Sequence, residues 1–275
     1  MVLKKRFNTE FSKNVFKLTF GTVLAQAIPF LMLPVLQKWF YSVSDFGILT
    51  HFTSIAAIVT SFASLKYEYA IVLAKDRIQQ YNLTFLALFF TFAISILLLI
   101  IALVIPGSIS ELFKAPEAKP YLWLVPVSII GFGGTQVFQY WYNKEKSYSF
   151  IAWSKFVQSF VGETAKVGGY YPFPGPAGLI VGRVTGQVAS FIWMLKRMLN
   201  KEKEFFSSIT FSRLNGVFNE YKSFALFTTP GSFLGVLTSN IHILILTSLY
   251  GLETVGYIGI SFIYIGMPLG IIASS

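Results

Sequence analysis

The stretch "LTFLALFFTFAISILLLIIALVI", residues 83–105, decides the fold class of this protein. It contains no charged side chain. At a rise of about 1.5 Å per residue, a helix of this length crosses a hydrocarbon layer about 30 Å thick. The stretch therefore predicts a transmembrane helix rather than a helix in the core of a soluble domain.

The rest of the chain has the same apolar character. Of its 275 residues, 54% are hydrophobic and 12% are charged, whereas soluble domains are on average about 25% charged. The mean hydropathy is +0.63. This composition predicts an all-α polytopic membrane protein rather than a soluble domain with a single anchor.

Apolar segments recur along the chain at the length of about 17–25 residues that a membrane span requires. Working outward from residues 83–105, we predict about eight transmembrane helices. Their bounds are Phe16–Leu36, Gly47–Leu65, Leu83–Ile105, Tyr121–Tyr142, Ile151–Tyr171, Ala177–Leu195, Phe224–Leu249 and Val255–Ala273.

The basic residues fall mostly on one side of the predicted membrane. Seventeen of the 22 Lys and Arg residues lie in the N-terminal segment, in the even-numbered connections or at the start of the fifth span. The opposite side has Lys38, Lys114 and Lys119. Because cytoplasmic loops carry the excess of basic residues, we predict a cytoplasmic N-terminus. The net charge of +10 is then a topology signal, and we expect no nucleic-acid partner.

The residue types that many enzymes and metal sites use are scarce. Cys is absent and His occurs twice, which excludes disulfides and thiolate catalysis and leaves little for a metal site. We therefore expect no metal, no cofactor and no catalytic residues, and we predict that the protein is not an enzyme.

An internal repeat predicts the organisation of the chain into lobes. A shift of 209 residues pairs Tyr41 with Tyr250 and Gly47 with Gly256, so spans seven and eight restart the pattern of spans one and two. The connection before span seven is basic and amphipathic, which is typical of a segment on the membrane surface. We predict a six-helix N-terminal lobe at 1–200, a cytoplasmic connection at 201–223 and the start of a second lobe at 224–275, and we expect the chain to be an N-terminal fragment.

Two stripes of polar residues run along spans five and six. Residues three and four apart share a helix face, and ionisable residues inside spans usually face a partner charge or a water-filled path. One carboxylate against two cations leaves a positive cavity, which predicts an anionic ligand carrying phosphate, with Lys166 and Arg183 binding it. The stripes contain Lys155, Ser159, Glu163 and Lys166 on span five, and Arg183, Gln187 and Ser190 on span six.

Further polar residues lie in spans one and seven. Gln26 and Asn240 are predicted to line the same cavity, and Glu163 and His242 are candidates for coupling to an H⁺ or Na⁺ ion. A purely structural alternative stays open. On that interpretation Glu163 pairs with Lys166, Arg183 bonds a backbone carbonyl, and His242 is a hydrogen-bonded packing residue.

The first 80 residues carry a resemblance to a known family. "GTVLAQAIPFLMLPVLQKWFYSVSDFGIL" (21–49), followed by "SLKYEYAIVLAKD" (64–76), resembles the N-terminus of the Wzx-like polysaccharide biosynthesis flippases, a branch of the multidrug/oligosaccharidyl-lipid/polysaccharide exporters. "GLIVGRVTGQ" (178–187) and "GYIGISFIYIGMPLGIIASS" (256–275) are similar to the sixth and eighth helices of that family.

The resemblance implies two six-helix lobes around a cationic cavity in a bacterial cytoplasmic (inner) membrane. It implies translocation of undecaprenyl-diphosphate-linked oligosaccharide, such as an O-antigen, lipopolysaccharide or capsule unit, to the outer leaflet by alternating access. The expected partners are this lipid-linked substrate, membrane lipids and a coupling ion. Two alternatives stay open: a cation-coupled multidrug exporter of the same superfamily, and a membrane polysaccharide polymerase or ligase.

Overall fold

The computed structural model of the protein describes residues 10–104 and 115–266. The described chain is helical apart from short turns, and no strand occurs in these two ranges. This confirms the predicted all-α fold class. The α-helices are α1 (Glu10–Trp39), α2 (Val43–Ala63), α3 (Tyr67–Leu73), α4 (Arg77–Val104), α5 (Leu124–Lys144), α6 (Tyr148–Gly169), α7 (Pro176–Lys201), α8 (Phe211–Glu220) and α9 (Thr229–Ser261), with a 3₁₀-helix at Pro116–Tyr121 and π-helical turns at Phe224–Thr228 and Phe262–Gly266.

Four of the described helical segments are long and apolar enough to cross a membrane. One of them is α4, which contains nearly all of the apolar stretch at 83–105. The prediction of a membrane protein with several apolar helices is thus supported, while the number of eight spans stays a prediction. The four segments are Val43–Ala63, Arg77–Val104, Pro176–Lys201 and Phe224–Gly266.

The last of these segments reverses direction at Gly251. This residue has φ 79° and ψ 176°, a backbone conformation that glycine adopts without a steric penalty. The rings of His242 and Phe262 lie 6.2 Å apart, although 20 residues of straight helix would separate them by about 30 Å. The chain therefore forms a first arm (229–250) and a second arm (252–266). The turn between the two arms lies where the sequence predicts the end of span seven.

Close packing of α6 against α7 depends on glycines spaced four residues apart. A Cβ at Gly182 would lie 2.7 Å from the Lys166 backbone N, and one at Gly186 would lie 2.4 Å from the Gln158 carbonyl oxygen. Gly178 continues the series and lies against α6 at Gly169. Small residues at this spacing let helix backbones approach each other closely. This face of α7 therefore sets the distance between α6, which carries Lys166, and α7, which carries Arg183.

A second glycine contact joins α2 to the second arm of α9. A Cβ at Gly47 would lie 1.9 Å from the Leu252 carbonyl oxygen, and a Cβ at Gly256 would lie 2.0 Å from the Val43 carbonyl oxygen. The two contacts are reciprocal, because the 209-residue shift relates Val43 to Leu252 and Gly47 to Gly256. The repeat thus relates one of these two contacts to the other.

An ionic cluster joins the ends of α4, α5 and α7. Arg77 donates hydrogen bonds to Glu145 and Glu202, and its guanidinium carbon lies 4.8 Å from the Trp141 ring centroid. Lys201 Nζ lies 3.4 Å from a Glu145 carboxylate oxygen. The cluster anchors three helices at one end of the bundle.

The predicted amphipathic connection contains α8. Its Val217 is buried with the core residues, whereas Phe211 is 85% exposed. Thr210 caps the helix by accepting a hydrogen bond from the Arg213 backbone N at 3.4 Å. The helix therefore lies across the end of the bundle with one apolar face against α4.

Candidate functional site

A cavity of about 530 Å³ lies between α1, α2, α6, α7 and both arms of α9. Six of the residues that the sequence singles out line it, and they come from the consecutive helices α6 and α7 and from the later helix α9. They are Ser159, Glu163, Lys166, Arg183, Asn240 and His242.

Glu163 and Lys166 form an ion pair in the wall of this cavity. Lys166 Nζ lies 2.6 Å from Glu163 Oε1, and the two side chains are 10% and 8% exposed. The pair follows from the i,i+3 spacing on α6. Glu163 Oε2 is buried and accepts no hydrogen bond from the described part of the chain, so half of the carboxylate stays available inside the protein.

Arg183 supplies a positive charge that the pair does not neutralise. It lies one residue after Gly182, which packs on the Lys166 backbone, so the two cations are level with each other. The residue is exposed toward the cavity that it lines and, within residues 10–104 and 115–266, makes no hydrogen bond or ion pair. The guanidinium carries five N–H donors in a planar fork that matches two oxygens of a phosphate. The Glu163–Lys166 pair and Arg183 together leave one net positive charge.

Tyr41, in the turn between α1 and α2, holds the backbone of the site. Its hydroxyl donates a 2.6 Å hydrogen bond to the Lys166 carbonyl oxygen. Burial, with smaller effects of Asp45 and Tyr170, raises the pKa of Tyr41 to about 12. The hydroxyl therefore stays protonated at neutral pH and remains a donor to α6.

His242 and Asn240 form the wall opposite α6. The His242 ring packs edge-on against Phe262. The Asn240 amide donates a 2.9 Å hydrogen bond to the Val236 carbonyl oxygen within its own helix. The first arm of α9 thus contributes Asn240 and His242 to the lining of the cavity.

Two predicted residues on α7 lie away from the cavity. The Gln187 side-chain oxygen accepts a 2.7 Å hydrogen bond from Ser128 Oγ on α5, and Ser190 is fully buried. Neither residue lines the 530 Å³ cavity. α7 packs between α6 and α5. Its polar stripe therefore faces the cavity at Arg183 but faces α5 one turn later, at Gln187.

Lys155 and Gln26 are also placed outside this cavity. Lys155 Nζ lies 3.1 Å from Thr22 Oγ1 on α1, and the side chain lines a separate cavity near the start of α6. Gln26 Oε1 is buried and accepts no hydrogen bond from the described residues.

Several cavity residues escape the sequence analysis. Thr50, Thr53 and Ser54 share one face of α2, and Gln158 and Ser239 lie near them. The i, i+3, i+4 spacing of the three hydroxyls was the available signal. They are easily overlooked, because isolated Ser and Thr residues in apolar helices usually bond their own backbone, as Thr50 does to the Phe46 carbonyl oxygen at 2.8 Å.

A comparison with protein families gives a match over most of the chain. The model of a family described as "Polysaccharide biosynthesis protein" matches residues 38–275. No curated protein and no solved structure matches. The matched range includes all of the cavity residues except Pro29.

Proposed function

The chain belongs to the polysaccharide biosynthesis protein family, and from that premise we propose that it is a flippase, not an enzyme. It translocates a polyprenyl-diphosphate-linked oligosaccharide across the bacterial cytoplasmic membrane, with its N-terminus in the cytoplasm. The substrate is a lipid-linked unit such as that of an O-antigen or capsule.

The observation that carries this proposal is the net positive cavity among apolar helices. Arg183 has no partner charge in direct contact within the described ranges, and a cation in an apolar surrounding costs free energy unless an anion or water compensates it. A diphosphate supplies that anion, because its oxygens accept from a guanidinium fork. The sugar then occupies the side lined by hydroxyl and amide groups, including Gln158, Ser159 and Asn240.

Glu163 is the proposed group for ion coupling. Its second carboxylate oxygen is buried and unpartnered in the described residues, so it is available to take up H⁺ or Na⁺. His242 lines the same cavity and is the second candidate. A Glu163→Gln variant whose flipping still responds to an imposed ion gradient would exclude Glu163 from this role.

The charge of the cavity also separates the alternatives. A multidrug exporter of cationic compounds requires uncompensated carboxylates, but the one carboxylate among the described residues that line this cavity is paired with Lys166. A polymerase or ligase requires catalytic groups, for which the comparisons supply no observation. The flippase is therefore the function that the site supports best.

The test is flipping of a fluorescent polyprenyl-diphosphate oligosaccharide in liposomes reconstituted with the full chain. We expect Arg183→Gln to slow flipping at least tenfold, since hydrogen bonds to charged groups contribute about 1.5–3 kcal/mol. Arg213→Gln removes an exposed arginine on α8 outside the cavity and is the matched control. Flipping by Arg183→Gln at the wild-type rate would overturn the assignment of this cavity.

A further inference from the structure

A second, smaller cavity lies at the junction of α5 and α6. Its volume is about 240 Å³. It lies between the last turns of α5 and the first turns of α6, so it is close to the α5–α6 connection at one end of the bundle. The lining residues are Gln139, Tyr140, Asn143, Ile151 and Lys155.

Lys155 gives this cavity a positive charge without a counter-ion. Its Nζ lies 3.1 Å from Thr22 Oγ1. No Asp or Glu is among the described residues that line the cavity, and Lys155 forms no ion pair within the described ranges. An ammonium group has three N–H donors, so two of them remain for a ligand after the contact with Thr22.

Two amide side chains add neutral donors to the same cavity. Gln139 and Asn143 are four residues apart on α5 and therefore share a face. Neither side chain makes a hydrogen bond in the part of the chain that the structure describes. Each amide offers two N–H donors. The described lining combines one cation with two amide groups that are free to donate hydrogen bonds, and it contains no carboxylate. Such a cavity is suited to binding an oxyanion.

We propose that this cavity is a second binding site for phosphate-type anions, separate from the Arg183 cavity. The proposal rests on the proposed function in one respect: it makes the site a stopping point for the diphosphate group on its way to Arg183. The two cavities follow each other along α6, because Gln158 and Ser159, one turn after Lys155, already line the larger one. The 11 residues from Lys155 to Lys166 span about 16 Å of helix.

The predicted topology gives this second site its place in transport. The α5–α6 connection is on the predicted cytoplasmic side, so a lipid-linked diphosphate in the inner leaflet reaches Lys155 before it reaches Arg183. A stripe of polar residues on α6 then connects the two sites. A shallow first site divides the movement of a charged group into the bundle into two steps. Each step then costs less free energy than a single transfer to the deeper site.

The experiment is calorimetric titration of inorganic diphosphate into the full chain, held in nanodiscs of zwitterionic lipid. We expect two binding equivalents for the wild type. Lys155→Gln should remove one of them or weaken it at least tenfold, and Arg183→Gln should remove the other. Lys203→Gln, an exposed lysine outside both cavities, is the matched control and should keep both. Unchanged binding by Lys155→Gln would overturn the proposal.

Two further variants keep the test valid if Lys155→Gln fails to fold. Lys155→Arg keeps the charge and should keep both equivalents. A Gln139→Leu/Asn143→Leu double variant keeps Lys155 but removes the amide donors, and it should weaken the same equivalent. If this double variant binds diphosphate as the wild type does, the amides do not form the site and the proposal is wrong.

A second arm of the experiment identifies the source of the phosphate group. Polyprenyl diphosphate in the nanodiscs should compete with inorganic diphosphate at Lys155, which would show that the lipid headgroup reaches this site. Competition by free phosphate alone would assign the site to a soluble anion and remove it from the transport path. A wild-type chain that binds two equivalents but does not flip lipid would overturn the proposed function and leave the second site standing.

Discussion

At the scale of single residues, the Glu163–Lys166 pair can act as a structural bond, a ligand site or both. Both side chains are nearly buried, so removing one partner leaves an uncompensated charge. Breaking a buried ion pair in this way typically costs about 3–5 kcal/mol. We therefore predict that Lys166→Gln destabilises the protein by this amount, whereas Glu163→Gln/Lys166→Gln costs much less. Thermal unfolding in detergent, analysed as a double-mutant cycle, measures the difference.

The same cycle separates the structural from the functional role of the pair. The stable double variant keeps Arg183 and one net positive charge, so it should still bind diphosphate if Arg183 is the main ligand. If Lys166→Gln is as stable as the wild type, the pair is not buried in the folded protein, and the account of the cavity wall is wrong.

Glu145 makes the stability of the ionic cluster depend on pH. Burial acts to raise the pKa of this carboxyl, but the hydrogen bonds and charges of Arg77 and Lys201 outweigh burial and lower it. A carboxyl with a lowered pKa in the folded state stabilises the protein above its unfolded pKa, and this contribution is lost as the pH falls through the folded pKa. The loss should therefore begin near the unfolded carboxyl pKa of about 4.3 and continue below it.

We predict that Glu145→Gln reduces this acid dependence. The midpoint of thermal unfolding, measured at a series of pH values from neutral down to about pH 3, should fall less steeply for the variant than for the wild type. Glu253→Gln, which removes a carboxylate that forms no ion pair in the described ranges, is the control and should follow the wild type. Parallel curves for all three proteins would show that Glu145 contributes nothing to stability.

The spacing of residues in the sequence predicts a contact of the site only where both residues lie on the same helix. The Glu163–Lys166 pair follows from i,i+3 spacing within α6, and the structure contains it. Gln187 has equally regular spacing after Arg183, but it bonds Ser128 on α5. Which neighbour a helix face meets depends on the packing of three helices, and periodicity along one helix contains no information about it.

At the scale of helices, the contact between α6 and α7 has no space for a methyl group at Gly182. A Cβ there would lie 2.7 Å from the backbone N of Lys166 and 2.9 Å from its Cα, and backbone atoms cannot move aside alone. We predict that Gly182→Ala destabilises the protein by about 1–3 kcal/mol, as overpacking usually does. Gly168→Ala, where nothing lies within 4 Å, should be neutral. Thermal unfolding of both variants tests this.

The outcome for Gly182 also bears on the site. A shift of α7 relative to α6 moves Arg183 away from Lys166, so Gly182→Ala should weaken diphosphate binding as well. Equal stability of Gly182→Ala and Gly168→Ala would mean that the helices are farther apart than described here.

Hydropathy located the apolar middle of each helix more accurately than the residues at which the helix begins and ends. The run at 83–105 lies in a helix that begins at Arg77, because polar residues such as Gln79 and Asn82 continue a helix that the apolar segment has already nucleated. The short α3, Tyr67–Leu73, was not predicted, since seven residues are too few for a periodicity signal. The turn at Gly251 was predicted from the end of an apolar run.

At the scale of the whole molecule, the repeat in the sequence corresponds to a reciprocal contact in space. Gly47 packs on the Leu252 carbonyl and Gly256 on the Val43 carbonyl, and the 209-residue shift exchanges the two contacts. Contacts of this kind arise where equivalent surfaces meet about a two-fold axis. Parallel repeats of transporters are related by such an axis along the membrane normal, so for the predicted two-lobe organisation we propose this contact as a gate between the lobes.

Thr50 and Gly259 offer a direct test of that gate. The shift makes them equivalent, and a Cβ at Gly259 would lie 3.1 Å from the Thr50 Cβ, close to the separation of about 3.5–4.5 Å in disulfides. The native chain has no cysteine, so within one chain a Thr50→Cys/Gly259→Cys variant can form only this bond. We predict that oxidation crosslinks α2 to the second arm of α9. A protease site placed between α7 and α8 makes the crosslink visible as two fragments that separate only after reduction.

In the proposed transport function, with the alternating access that the family resemblance implies, this contact would open once in every transport cycle. Oxidation of the double variant should therefore stop flipping in liposomes, and reduction should restore it. Thr50→Cys alone, treated with the same oxidant, controls for damage by the reagent and should flip lipid at the same rate before and after the treatment. If the crosslinked protein flips lipid at the rate of the reduced protein, the contact between α2 and the second arm is a fixed joint, and the opening must lie elsewhere in the molecule.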